Sequence, residues 1–290
     1  MMHKALAPAT LSAYNRSLVA YQNFCAKYSL SCAFPISIDN LSCFIQFLFN
    51  TGLPASSIAS SLSALSYYHK LWAYEAMDPT KAFSTTQLMV AIRKERPTSD
   101  GRKPISENIL LTMFNNLARL NLSYYELSLF RAMFFLMFHF GLRVGEVTNS
   151  PHNINNCQLE IVGDRLRLTF STYKHSPAQP FSHFIRATDS LICPVPVLAR
   201  YASLRGNCRG PFFMLGGNAV TRDLFNSRLR ETLVLCHLDT SSYSSHSFRI
   251  GAASLWAAKG LSYDLIRRLG RWKSSAGLKY LRHDIDHTIS

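Results

Sequence analysis

Residues 93–104 read RKERPTSDGRKP, and this stretch constrains the fold more than any other. It holds two prolines, a glycine and a run of charges, with no large apolar side chain to bury. Such a segment neither continues a helix nor joins a core, so it divides the chain. The reading is a helical domain over 1–96, a linker over 97–103 and a second domain over 104–290. The cations Arg93, Lys94, Arg96, Arg102 and Lys103 suit a segment lying along a phosphate backbone, although a merely solvated tether has the same composition.

Before the break, the apolar residues keep a helical period. Leu11, Tyr14, Leu18, Tyr21 and Cys25 form a stripe after Thr10, which is read as its cap. Leu41, Phe44, Ile45 and Leu48 form a second stripe, Ile58, Leu62 and Leu65 begin a third, and residues 85–94 suit a fourth. Residues 40–69 contain no Lys, Arg, Asp or Glu, but Gln46, Asn50, Gly52, Pro54 and many serines break them into two short amphipathic helices rather than a membrane span. At the end of the third stripe Tyr67, Tyr68, His69 and Lys70 suit either a DNA contact or a solvated helix end.

After the break, Ser106 is placed to cap a helix to about Leu120, and 124–140 is a strongly apolar helix. The period then changes. Leu166, Leu168 and Phe170 alternate, and Gly163-Asp164 supplies a turn, which predicts two short strands with a third over 181–186. Helices are expected at about 195–205, 222–235, 246–259, 262–269 and 274–282, with Gly260 and Gly270 at stops. The fold class is therefore mainly α: an N-terminal helical domain and a mostly helical second domain with a small antiparallel sheet.

The charge is uneven. Lys and Arg number 31 against 17 Asp and Glu, a net +14. Through Asp100 there are 8 basic and 5 acidic residues, +3, which leaves 23 and 12, +11, for the rest. A polyanionic partner is implied, met mostly by the second domain. The seven cysteines form no CxxC pair and the first residues lack an apolar leader, so an intracellular chain with reduced thiols is expected.

Four short motifs remain. HSFRIGA puts His246 and Arg249 three apart at a helix start, hence on one face. GLRVGEV puts Arg143 at another helix start, with Glu146 three residues on. TFSTYKHS puts Lys174 where a strand ends, and GRWKSSAGLKYL puts Trp272 ahead of a helix carrying Tyr280. Singly each is weak: a His and Arg on one helix face are most often structural, and a lone Trp or Tyr is most often packing. In order they read Arg, Lys, His-x-x-Arg, Trp, Tyr. That order resembles the tyrosine recombinases, the phage-integrase family, over nearly the whole chain. The words GRWKSSA and CPVPVLARY are most similar to recombinases of eukaryotic mobile elements, the DIRS-type and Crypton kinds.

The resemblance implies a core-binding domain followed by a catalytic domain that together clamp double-stranded DNA. It implies cleavage through a 3′-phosphotyrosyl link, with Tyr280 as nucleophile and Lys174 as general acid. Arg143, His246, Arg249 and Trp272 would act on the scissile phosphate, with Glu146 supporting them. The chemistry suits those residue types: a phosphodiester under attack gains charge on its nonbridging oxygens, guanidinium forks match that geometry, and His and Trp each add an N–H donor. No metal, nucleotide or other cofactor is implied. The product would be site-specific recombination or integration of a mobile element, by a homotetramer on two DNA sites, in the nucleus of a eukaryotic host or otherwise in the cytoplasm. Further DNA contacts are expected at Lys70, Arg93, Lys94, Arg96, Arg102, Lys103, Arg271 and Lys273.

Two features depart from the family pattern. Trp272 precedes Tyr280 by eight positions, where phage and bacterial relatives usually have nine. Only LRHDIDHTIS follows Tyr280, where many relatives use a longer tail to dock on a neighbouring subunit, so assembly by another route or on the DNA itself is expected. HDIDH, residues 283–287, has the ligand types of a metal site, but four ligands so close in sequence seldom converge, and a frayed helix end is the simpler reading. The rival functions are a non-catalytic DNA-binding protein derived from a mobile element, a type IB topoisomerase and a basic membrane-surface protein.

Overall fold

A computed structural model describes residues 6–73, 76–97, 100–155, 158–170 and 180–272. It forms two compact units, Met1–Asp100 and Gly101–Ser290, the division falling within RKERPTSDGRKP.

The first unit is a helical bundle of α1 (Pro8–Lys27), α2 (Ile38–Asn50), α3 (Ala55–Trp72) and α4 (Phe83–Glu95). Thr10 does not cap α1. The helix starts two residues earlier because proline's fixed φ suits the first helical position, and Pro8 occupies it. Ser37 caps α2 by accepting the Asn40 N–H. The stripe Leu41, Phe44, Ile45 and Leu48 is buried against Tyr21 and Phe24 of α1, Ile58, Leu62 and Leu65 of α3, and Met89 and Ile92 of α4. The charge-free stretch is thus two core helices, and among the described residues no helix is long and apolar enough to cross a membrane.

The end of α3 differs from the solvated end weighed from sequence. Tyr68 and His69 are buried: Tyr68 donates to Asn15 of α1 and stacks on Trp72, and His69 faces the following turn. The His69 ring nitrogen Nε2 lies 3.4 Å from the Ala76 carbonyl oxygen, and Ser66 donates to Asp78. Lys70 stays exposed but pairs with Asp78 at 3.6 Å. Arg96 is likewise held: it donates to the Phe49 carbonyl at 2.8 Å and lies 3.9 Å over the Phe49 ring.

The second unit is built around α6 (Tyr124–Phe140), which follows α5 (Glu107–Asn116). Ser123 and Glu126 close a reciprocal cap at its start. A helix apolar on most of its faces belongs in an interior, and α6 buries Phe130, Phe134, Phe135, Phe138 and Phe140. It packs against α8 (Pro194–Arg205) and α10 (Ser247–Ala258). Between these lie α7 (Val144–Val147) and the sheet of β1 (Leu159–Val162), β2 (Arg165–Phe170) and β3 (Phe181–Arg186). Both pairings are antiparallel, with Leu168 opposite Leu159 and His183. Leu166, Leu168 and Phe170 are buried, as their alternation predicts. A hairpin of β4 (Met214–Leu215) and β5 (Asn218–Ala219) was not expected; two residues per strand show no period, and the signal was Gly216-Gly217, both at positive φ. Helices α9 (Arg222–Leu235) and α11 (Tyr263–Leu269) complete the described part.

Gly251 explains one word of the opening motif of α10. A Cβ there would fall 1.9 Å from the Ile105 carbonyl oxygen. The chain at the start of this unit is zipped onto α10 and the loop before it: Lys103 N–H donates to Ser242 at 2.8 Å and Ile105 N–H to Ser247 at 3.1 Å. Gly251→Ala is expected to cost about 1–3 kcal/mol by overpacking, read as a lowered Tm. Gly101→Ala, with open space around it, leaves Tm unchanged. A Gly251→Ala chain melting with the wild type contradicts the close approach.

Candidate active site

The site grows from the C-terminus of α6. Gly141 ends that helix in the left-handed conformation, φ +56°, and a Cβ there would lie 2.9 Å from the Trp256 ring. Glycine meets both demands at once. Leu142 N–H returns to the Met137 carbonyl at 3.0 Å, and the chain then enters α7 with Arg143 as its N-cap. Glu146, in the first turn of α7, folds back: its Oε2 accepts the Arg143 N–H at 2.8 Å, and its Oε1 lies 3.4 Å from Arg143 Nη1.

Two arginines from distant segments close on this end. Arg249 of α10 is 1% exposed. Its Nη1 donates to the Gly141 carbonyl at 2.6 Å, its Nη2 donates to the Gly270 carbonyl, and its guanidinium lies 4.4 Å from the Trp272 ring centre. Arg271 sends Nη2 to Glu146 Oε2 at 2.8 Å and Nη1 to the Phe140 carbonyl at 3.3 Å. The physical reason is the helix end. The last carbonyls of α6 have no partner within the helix and carry its negative pole, so cations gather there.

Glu146 is therefore a buried carboxylate among three guanidinium groups. Burial alone raises its pKa. Arg271, the Arg143 N–H and the charges of Arg143 and Arg249 together outweigh that and hold it below the ordinary glutamate value. His183, opposite Leu168 on the sheet, packs 4.8 Å from the Phe140 ring. Burial, and then the charge of Arg271, push its pKa down to about 4, so it adds no charge at neutral pH.

The structure brings Arg143, Glu146, Arg249 and Trp272 into one network, but not as one open surface. The Arg143 side chain is 30% exposed and His246, at the start of α10, is half-buried. Arg249 and Trp272 are interior. Three apart on a helix fixes a shared side, not which side faces solvent; the carbonyls of Gly141 and Gly270 draw Arg249 inward. Lys174, Lys273 and Tyr280 lie outside the described residues, as does HDIDH. Of the expected DNA contacts, Arg93, Lys94, Arg96 and Lys103 are exposed, and Arg102 is half-buried. Arg271 is a correction: it is 6% exposed, because an acid and several carbonyls draw it into the interior.

Among solved structures of similar fold are recombinases and integrases. The chain is similar to XerH site-specific recombinase bound to palindromic difH substrate (TM-score 0.69, 12% identity, 93% of this chain and 75% of that one). It is similar to a lambda integrase dimer bound to a COC′ core site (0.66, 16%, 98% and 75%). It is also similar to the Tn1549 transposon integrase in complex with transposon right end DNA (0.70, 9%, 97% and 91%). No curated protein matches the sequence. The chain thus has the tyrosine recombinase fold. More particularly, residues 1–76 match the family described as phage integrase, N-terminal SAM-like domain.

Proposed function

We propose that this chain is a site-specific DNA recombinase that cleaves and rejoins strands through Tyr280. The observation that carries the reading is the convergence of Arg143, Arg249 and Arg271 on one carboxylate and one helix end, inside this fold. The Tyr280 hydroxyl attacks the scissile phosphorus and loses its proton. A 3′-phosphotyrosyl bond forms while the bond to the 5′ oxygen breaks. Lys174 gives that oxygen a proton, so the leaving group is a 5′-hydroxyl. Arg143 stabilises the charge on the nonbridging oxygens and His246 adds an N–H donor, while Arg249 and Trp272 join them only once DNA binding turns them out of the interior they occupy here. A 5′-hydroxyl of a second strand then attacks the phosphotyrosine, which restores Tyr280 without ATP or metal. The net charge of +14 supports salt-dependent affinity for duplex DNA. Exchange of two strands requires two sites, hence a homotetramer. The likeness of GRWKSSA and CPVPVLARY supports a mobile element of the DIRS or Crypton kind, acting in the nucleus.

Two variants on two substrates test these roles. Lys174→Ala is expected to slow cleavage of ordinary DNA by about 10²–10⁴-fold, the usual worth of a general acid. A 5′-bridging sulfur leaves without a proton, so that substrate largely restores the rate. Arg143→Ala is expected to lose about 10²–10³-fold on both substrates, since it stabilises charge on the phosphate instead. A Lys174→Ala defect as deep on the sulfur substrate as on ordinary DNA removes Lys174 from the general-acid role.

A further inference from the structure

We infer that Arg271 is a positioning residue that couples the three chain segments carrying the reactive groups; the inference rests on the recombinase reading above. It reaches the first segment through Glu146, whose Oε2 accepts from both Arg271 Nη2 and the Arg143 N–H, each at 2.8 Å. It reaches the second through Phe170, the last residue of β2, where its guanidinium lies 4.0 Å from the ring centre. Lys174 follows Phe170 by four positions. The third segment is its own: Trp272 is the next residue, and Tyr280 stands nine on.

The local geometry fits that task. Arg271 adopts φ +55°, a left-handed conformation uncommon outside glycine, which persists where the surroundings over-determine it. Those surroundings are on both sides of the backbone. Arg271 N–H donates to the Arg268 carbonyl at 3.1 Å and Trp272 N–H to Arg267 at 3.0 Å. The side chain adds the carbonyls of Phe140 at 3.3 Å, Leu269 at 3.2 Å and Gly141 at 3.4 Å. Gly270 clears the space beside it, since a Cβ there would overlap the Trp272 ring at 1.7 Å.

Only arginine does all of this. Its planar fork serves several acceptors in fixed directions while its flat face covers an aromatic ring. Lysine carries the same charge on a point-like ammonium and cannot stack on Phe170 while bonding Glu146 and the helix end. Arg271→Lys therefore keeps the charge balance at Glu146 and loses the coupling.

The experiment compares wild type, Arg271→Lys and the charge-free pair Glu146→Gln with Arg271→Met, as full chains. Misplacement of reacting groups by about 1 Å costs about 10²-fold in rate. Arg271→Lys is expected to lower Tm and, at temperatures well below that Tm, still to lose cleavage on that scale on ordinary and 5′-bridging sulfur DNA alike, with wild-type DNA affinity. The charge-free pair is expected to fold and bind DNA but not to regain cleavage. In the free protein, hydrogen exchange at the Arg143 and Phe170 amides is expected to quicken together in Arg271→Lys. Wild-type cleavage by Arg271→Lys overturns the inference. So does a loss that merely follows a lowered Tm and vanishes on cooling, which marks a structural role. Unchanged exchange at both amides also overturns it. A wild type that cleaves nothing sinks the recombinase reading instead, and the exchange measurement then still decides whether Arg271 couples the segments.

Discussion

Replacing Glu146 by alanine is expected to lower stability by about 3–5 kcal/mol, the loss typical of a buried ion pair stripped of one partner. The carboxylate is 4% exposed and bonds two arginines. Without it, Arg271 keeps its carbonyl partners but faces Arg143 and Arg249 with no anion between them. Glutamine retains acceptor oxygen and volume, so its cost should be smaller. The pH dependence has a definite sign. Glu146 titrates in the folded chain below its unfolded value of about 4.3. Its contribution is therefore fully present above that value and is lost as pH falls through the lower folded one. In thermal melts the Tm gap between wild type and Glu146→Gln should be constant from pH 8 to 5 and shrink as acid protonates the wild-type carboxylate. A gap that widens in acid contradicts the buried, charged Glu146.

The sequence was informative where one physical signal dominated. The apolarity of 124–140, interrupted only by Glu126, Ser128, Arg131 and His139, pointed to a buried helix, and the alternation Leu166, Leu168, Phe170 to a half-buried strand. The stripes of α2 and α3 likewise named their own core residues. Signals that depend on distant partners were not legible in the same way. His246 and Arg249 share a helix side by spacing, yet Arg249 turns inward because Gly141 and Gly270, each far off in sequence, present carbonyls to it. Arg271 reads as one more surface cation until Glu146, 125 positions earlier, is seen beside it. Tyr68 and His69 looked like a polar helix end because their partners, Asn15 on α1 for Tyr68 and the aperiodic turn at Ala76 for His69, lie outside the helix.

Tyr280 tests the central claim most directly. Phenylalanine keeps the ring and removes only the hydroxyl, so packing and DNA affinity should hardly change while chemistry stops. The probe is a set of nicked duplexes covering the terminal DNA of the encoding element. In these a short leaving strand diffuses away, and any covalent intermediate is trapped. The wild-type chain should give an adduct that survives SDS and forms equally well with EDTA present, with the DNA joined at Tyr280 by its 3′ phosphate. Tyr280→Phe should bind the same duplexes and give none, a loss limited only by detection. An adduct of wild-type yield in Tyr280→Phe, or a wild-type chain that binds these duplexes and leaves every one uncut, contradicts the account.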